Sequence, residues 1–403
     1  MLGDAYFPLP ALRGLRSPPA GGTIPAMKIT AAISGGTDSL FALLSLREQG
    51  HEVTALHARF LPPAGKDDPV PAMAALCEKL GVPFVVADLT QDFRAGVMEP
   101  FAEAHVLART PNPCALCNRA MKFGRLFDIA MEHGDAYATG HYAALAEHPV
   151  YGPTLRAGAD DAKDQSYFLA LVPAERLRRG LFPLADWKKP AIRAWLSERG
   201  MEPPLPSESQ EICFIPHDDH YAWLEQRRAE GLPLPGPGPV ILAGAEPLPE
   251  KKPRRGKGRR ERSAEPSLPP CSVPGRLIAE HRGLWQYTEG QRRGLGIPWS
   301  EPIYVLRREL ASNTLIVGPK HLLPADSCSA SGLNLMVPHG LWPEKLFVRV
   351  RYHQRPMPAE VRIDEAAGRM DIRFAEPQQP PAPGQTAAVY DEQGFVLAGG
   401  VLD

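Results

Sequence analysis

The sequence predicts an α/β protein: a doubly wound parallel sheet first, then a small central domain and a C-terminal antiparallel β-barrel. Three observations carry this expectation. Apolar runs of strand length alternate with helical periodicities from Lys28 to Thr139. A glycine-rich turn, Ser34-Gly35-Gly36-Thr37-Asp38-Ser39, joins the first strand to the first helix. The last hundred residues break into short alternating runs separated by turns.

The elements follow in order. Lys28 to Ile33 is a short buried strand, and Leu40, Phe41, Leu43, Leu44 and Leu46 fall at helical spacing before Gly50 stops the helix. Val53–Ala58 and Pro83–Asp88 read as further strands, with a helical face of Met73, Leu76, Cys77 and Leu80 between them. Phe101 to Leu107 and Met121 to His133 are helical, and Ala136–Thr139 is a strand before Gly140. Ligands of such sheets bind beyond the carboxyl ends of the strands. The glycine-rich turn and Thr139-Gly140-His141-Tyr142 both lie at such ends. From Asp164 to about Gly200 the pattern is helical, with Trp187-Lys188-Lys189-Pro190 opening one helix. Ile303–Leu306, Thr314–Val317, Leu346–Tyr352, Ala359–Ile363, Met370–Phe374 and Ala387–Tyr390 are the strands expected in the barrel.

The glycine-rich turn aims backbone N–H groups at one point, where the helix dipole also favours negative charge. Two glycines let a phosphate approach closely. No lysine follows them, which excludes the Walker loop, and there is no third glycine of a dinucleotide fingerprint. The hexapeptide is similar to the pyrophosphatase-type PP-loop of enzymes that split ATP between the α and β phosphates.

Length and composition set wider limits. The chain has 403 residues, which suits two or three domains. A hydrophobic fraction of 44% without a membrane-length apolar stretch is globular. The formal net charge of −1 gives no global pull toward nucleic acid or a membrane. Residues 1–26 read as a flexible extension or an overlong start and form a poor signal peptide, so cytoplasm is the expected compartment. Residues 27–215 form the nucleotide domain, 216–298 a central domain and 299–403 the barrel. A basic insertion at about 245–272 reads as a solvated segment or a phosphate-contacting arm.

Cys114 and Cys117 form a Cys-x-x-Cys on a proline-stiffened loop leading into a helix near Asn118. A thiolate at a helix N-terminus is expected to be stabilised, as nucleophile or metal ligand. Cys213, in a short apolar run, reads by itself as a core cysteine, as does Cys77.

Taken together, the motifs resemble one family. The glycine-rich loop is followed by Thr110-Pro111-Asn112-Pro113-Cys114-Ala115-Leu116-Cys117-Asn118, then Ala138 to Ala143, then Lys163-Asp164-Gln165-Ser166-Tyr167-Phe168-Leu169 and Ser209 to Ile215. Tyr287 to Gly296, Val348 to Tyr352 and Pro383-Gly384-Gln385 complete the order. This resembles the tRNA-specific 2-thiouridylases. The resemblance implies sulfur insertion at C2 of the wobble uridine of tRNA, after ATP has adenylated the C2 oxygen. It places Ala32, Ile33, Ser34, Gly35, Gly36, Thr37, Asp38, Ser39, Ala58 and Gly140 against ATP, with Asp38 helping to place Mg²⁺. It assigns Asn112, Pro113 and Cys114 to the target base, and His141, Lys163, Asp164, Gln165, Arg351, Tyr352 and Gln385 to tRNA. The central domain would then bind tRNA.

Cys117 and Cys213 match the family's sulfur-handling cysteines. In the persulfide scheme Cys213 accepts sulfur from a carrier protein and Cys117 releases the product. Cys114 stands where the best-known pattern has aspartate. Three cysteines, Cys114, Cys117 and Cys213, can instead hold three irons of a [4Fe–4S] cluster whose fourth iron binds sulfide. The rival readings are another adenylating enzyme of the same loop class, which needs none of these cysteines, and a silent RNA-binding or redox-sensing protein, which binds tRNA without consuming ATP.

Overall fold

The computed structural model describes residues 26–63, 68–205, 212–244 and 271–403. The expectations for the N-terminal extension, the basic insertion and Ser209 to Glu211 lie outside the described residues.

The N-terminal layer is a parallel sheet of β1 (Lys28–Ala32), β2 (Glu52–Arg59), β3 (Phe84–Asp88), β4 (Ala136–Ala138) and, past a hairpin of β5 (Ala143–His148) and β6 (Gly152–Ala157), β7 (Gly180–Leu181). Its order is β3-β2-β1-β4-β7. The order reverses at β1, so the chain leaves β1 and β4 side by side with a crevice between their exits. β1 and β4 are buried along almost their whole length, as strands covered on both faces must be. Helix α1 (Thr37–Glu48) follows the glycine-rich turn and buries Leu40, Phe41, Leu43, Leu44 and Leu46. Each contributes about 1.5–3 kcal/mol by leaving water.

The central layer is a four-stranded sheet in the order β10-β11-β8-β9, from β8 (Gly238–Ala243), β9 (Gly275–His281), β10 (Ile303–Glu309) and β11 (Thr314–Pro319). This corrects the expectation for Ile303–Leu306 and Thr314–Val317, which do not enter the barrel. β11 pairs in parallel with β8, whose Val240 and Leu242 share a core with Val305, Leu315 and Val317. Their alternation fits any half-buried sheet, and only the long-range pairing decides which one.

The barrel is closed in the order β12-β15-β14-β13-β16-β17. Its strands are β12 (Ala325–Leu335), β13 (Leu346–Arg349), β14 (Met357–Asp364), β15 (Arg369–Gln378), β16 (Thr386–Tyr390) and β17 (Val396–Leu402). The barrel docks onto the first domain: Met336, Ala388, Tyr390 and Val396 join the core around Phe93, Phe123 and Tyr137. Between Asp164 and Gly200 the expected helical stretch is broken into short turns Ser166–Leu169 and Ala174–Leu177, the strand β7, and the helix Lys189–Glu198.

Candidate active site

The phosphate-type loop is built by its own hydroxyls. Ser39 Oγ donates to the Gly36 carbonyl at 3.0 Å and accepts from the Ser34 N–H at 3.1 Å, closing the turn onto α1. Gly35 takes φ +85°, a left-handed conformation that favours glycine, and its carbonyl accepts the Leu205 N–H at 2.9 Å. Gly36 is the N-cap of α1 and has no side chain to satisfy the first N–H groups, so these stay available to an anion. Ala32 and Ile33 lead into the loop, and His57 Nδ1 meets the Ile33 carbonyl at 2.9 Å. Ala58 lies one residue beyond His57 on β2.

Asp38 sits in the first turn of α1, and its Oδ1 accepts two bonds of 2.7 Å, from Lys189 Nζ and Tyr142 Oη. Gly140, at the exit of β4, packs on the same turn. A Cβ there would stand 3.0 Å from the Asp38 carbonyl carbon and 3.1 Å from Ser39 N.

His141 is buried and both its ring nitrogens are engaged. Nδ1 lies 2.8 Å from Thr139 Oγ1, and Nε2 lies 3.1 Å from Asn118 Oδ1. Asn118 Nδ2 donates to the Phe168 carbonyl, so its Oδ1 is the acceptor and the ring proton belongs on Nε2. Burial drives the His141 pKa well below its ordinary value, assisted by Lys122. A neutral ring thus ties the exit of β4 to the residue after Cys117.

The cysteine loop is held from three directions. Asn112 caps the helix Pro113–Cys117 by accepting the Ala115 N–H at 3.2 Å and donates to Thr386 Oγ1. Gln385 Nε2 donates to the carbonyls of Thr110 and Pro111 at 2.9 and 3.2 Å. Gly384, at φ +93°, lets the strand approach; a Cβ would stand 3.1 Å from Thr110 backbone. From the central layer, Arg308 donates to Thr110 Oγ1 at 3.0 Å while paired with Glu289 at 2.7 Å. After Cys117 the chain continues as a wide π-type helix, Asn118–Arg125, interrupted at Gly124. Such turns recur at functional sites.

Cys114 and Cys213 are exposed, and Cys117 is buried. Cys213 therefore departs from its expectation as a core cysteine: Phe214 and Ile215 take the core positions, while Cys213 is exposed as a residue although its thiol is poorly hydrated. The three thiols feel one another and Lys122 electrostatically. Crowding by protein raises all three pKa values, that of Cys117 to about 12. The direction runs against the expected thiolate stabilisation, because lost hydration favours the neutral thiol. Among the described residues no three His, Cys, Asp or Glu side chains stand close enough together to grip a metal ion.

The remaining expected residues brace the site. Asp164 is buried, accepts from Ser166 N–H and Oγ at 3.0 Å each, and pairs with Arg349 at 2.8 Å. Gln165 Oε1 accepts the Tyr142 N–H at 3.1 Å. Lys163 is half-buried on the turn before Asp164, its N–H bonded to the Asp160 carbonyl. Arg351 donates to the carbonyls of Glu289 and Pro380 at 3.1 and 2.8 Å. Tyr352 lies against Phe168, ring centroids 4.3 Å apart and planes tilted by 34°. Lys189 and Arg308 are the site residues that sequence reasoning missed, while Asn118, Thr139 and Arg349 lay within its motifs without a role of their own. Lys189 carried a signal, standing at positions i, i+3 and i+7 with Ile192 and Leu196 on a buried face.

Comparison with known proteins follows the same layers. Residues 27–217 match the family described as tRNA methyl transferase HUP domain, 271–319 the tRNA methyl transferase PRC-barrel domain, and 326–402 the aminomethyltransferase beta-barrel domain. A protein named tRNA-specific 2-thiouridylase MnmA from Nitratidesulfovibrio vulgaris (strain Miyazaki F) is 50% identical over 382 residues, 93% of this chain and 99% of that one. A protein of the same name from Lawsonia intracellularis is 42% identical, again over 93% and 99%. The U34-tRNA thiolase NcsA from Methanococcus maripaludis, solved with its [4Fe–4S] cluster, shares 15% identity over 51% of this chain and 65% of its own, at a TM-score of 0.32. The chain belongs to the tRNA-specific 2-thiouridylase family.

Proposed function

We propose that the chain is a tRNA-uridine 2-sulfurtransferase that thiolates the wobble uridine of tRNA in the cytoplasm at the expense of ATP. One observation supports it most: Gly140 and His141 are consecutive, one packed on the phosphate-type loop and the other bonded to the residue after Cys117. Adenylation and sulfur chemistry are thereby held within one short stretch of backbone. The C2 oxygen attacks the α-phosphate, pyrophosphate leaves, and the oxygen later departs with AMP as sulfur bonds to C2. Loop N–H groups and α1 bind the phosphates, and Asp38 helps to place Mg²⁺. The base leaves its stack to reach Asn112, Pro113 and Cys114. Lys163, Gln165, Arg351 and Tyr352, with the central layer, grip the tRNA around it. His141, Asp164 and Gln385 contribute by fixing the walls.

Cys114, Cys117 and Cys213 would hold a [4Fe–4S] cluster. Their chemistry suits it: three thiols share one electrostatic neighbourhood. When bound, the cluster supplies an open iron that carries sulfide. A second reading is favoured by the thiols not being drawn together in ligating geometry. In it a Cys213 persulfide delivers its outer sulfur to C2, and Cys117 attacks Cys213 Sγ to form a disulfide and free the product.

The test is thiolation of unmodified tRNA with ATP and sulfide by anaerobically purified protein, with iron analysis. Cys213→Ala abolishes 2-thiouridine formation and leaves ATP binding intact. Thiolation by that variant at the wild-type rate would overturn both sulfur schemes. About four irons per chain, lost in Cys114→Ala, with sulfide as the sulfur source decides for the cluster; activity without iron that needs a carrier-protein persulfide in place of sulfide decides for the persulfide.

A further inference from the structure

The glycine-rich loop carries no lysine of its own, yet a lysine stands on it. Lys189 opens the helix Lys189–Glu198, 151 residues after Asp38, and its Nζ lies 2.7 Å from Asp38 Oδ1. Its side chain is 6% exposed, so the ammonium has been taken out of water to reach this point. Long charged side chains are rarely buried without a specific partner, and their ordinary place is the solvated face of a helix. Its backbone is fixed as well: the Lys189 N–H donates to Asp160 Oδ2 at 3.0 Å, and Pro190 follows in the first turn. Ile192 and Leu196 anchor the same face of that helix against Phe41 and Leu44 of α1. The helix therefore delivers Lys189 from a rigid base to the mouth of α1, where the loop N–H groups converge.

We infer that Lys189 is the phosphate-binding cation of this loop, supplied from a distant helix. The inference rests on the reading of the loop as an ATP site and goes beyond it by naming a residue and the part of the ligand it meets. Before nucleotide arrives, Lys189 and Tyr142 hold the Asp38 carboxylate at the start of α1. A triphosphate brings several negative charges to that spot and competes with the Asp38 carboxylate for the ammonium. The ammonium then turns to the nearest phosphate oxygens, those of the β and γ groups that leave as pyrophosphate. It screens their charge as the bond to the α-phosphate breaks.

The experiment measures equilibrium binding of magnesium-ATP, magnesium-pyrophosphate and AMP to the full chain by calorimetry, without tRNA. Wild-type protein that binds neither ATP nor pyrophosphate defeats the ATP reading itself. If the wild type binds, Lys189→Met is expected to weaken ATP and pyrophosphate at least about tenfold, the range of a charge-assisted hydrogen bond, and AMP less than about twofold. Lys189→Arg keeps ATP within about threefold. Equal losses for ATP and AMP, or no loss, overturn the proposal, since a role in folding alone weakens all three ligands together. Should Lys189→Met not fold, the wild-type chain decides the matter. The ¹⁵N resonance of Lys189 Nζ, assigned by its absence in Lys189→Arg, shifts on adding pyrophosphate and stays put on adding AMP. An unmoved resonance with pyrophosphate bound overturns the proposal.

Discussion

The cysteines show how a residue's chemistry depends on what surrounds it. A Cys-x-x-Cys before a helix reads as an activated pair, and the spacing of Cys114 and Cys117 was legible in the sequence. The lost hydration that governs their acidity was not, because spacing does not show what packs around a side chain, and Cys213 acts on Cys117 by its charge from far along the chain. Burial favours the neutral thiol, so the thiolate fraction at neutral pH falls below that of free cysteine. We expect alkylation by iodoacetamide, followed by mass spectrometry from pH 7 to 10, to proceed more slowly at Cys114, Cys117 and Cys213 than for free cysteine. Cys117, pushed to about 12, should be slowest. The gap should narrow as pH rises. Thiols that react fully at pH 7 would restore the helix-stabilised thiolate. The same raised pKa values make the folded state less stable above the ordinary thiol range, since unfolding then releases protons.

At the level of elements, the strand–turn–helix unit at Ser34 and the strand end at Gly140 were both legible, because apolar runs and glycines mark them directly. Their contact was not, since it follows from β1 and β4 being neighbours across more than a hundred residues. That contact is unforgiving. An alanine at position 140 would set a methyl against backbone atoms of Asp38 and Ser39, which cannot swing aside as a side chain can. Gly140→Ala should therefore shift the first turn of α1 and lower ATP affinity about tenfold or more, the scale of overpacking a rigid contact. tRNA affinity should change little. Calorimetric titration with ATP and a filter-binding curve for tRNA check the two halves; unchanged ATP binding would mean that the loop tolerates displacement.

Across the whole molecule, two buried ion pairs support the joints between layers, one inside the central layer and one between barrel and first domain. Arg308 and Glu289 are 1% and 5% exposed at their side chains, and Arg308 also reaches Thr110 in the first domain. Arg349 of the barrel meets Asp164 in the same way. Removing one member of a buried pair strands the other charge. Arg308→Met should cost about 3–5 kcal/mol in urea denaturation, and Arg308→Met with Glu289→Gln should recover most of it. A loss under 1 kcal/mol for the single variant would show that Glu289 finds another cation. The order of the layers could be read from composition and spacing, whereas the boundary between the second and third could not. β10 and β11 alternate like barrel strands, and their partner β8 lies beyond a long insertion.

The bonds from Gln385 to the carbonyls of Thr110 and Pro111 span 275 and 274 residues. On a ribosome adding about 5–20 residues per second, the cysteine loop emerges roughly 14–55 s before its support does. A segment made long after the loop thus helps to set it. A chain interrupted before Gln385 would carry Cys114, Cys117, Cys213 and the entire glycine-rich turn, yet lack two of the bonds that hold the cysteine loop. The loop and its support are thus separated in time as well as in sequence.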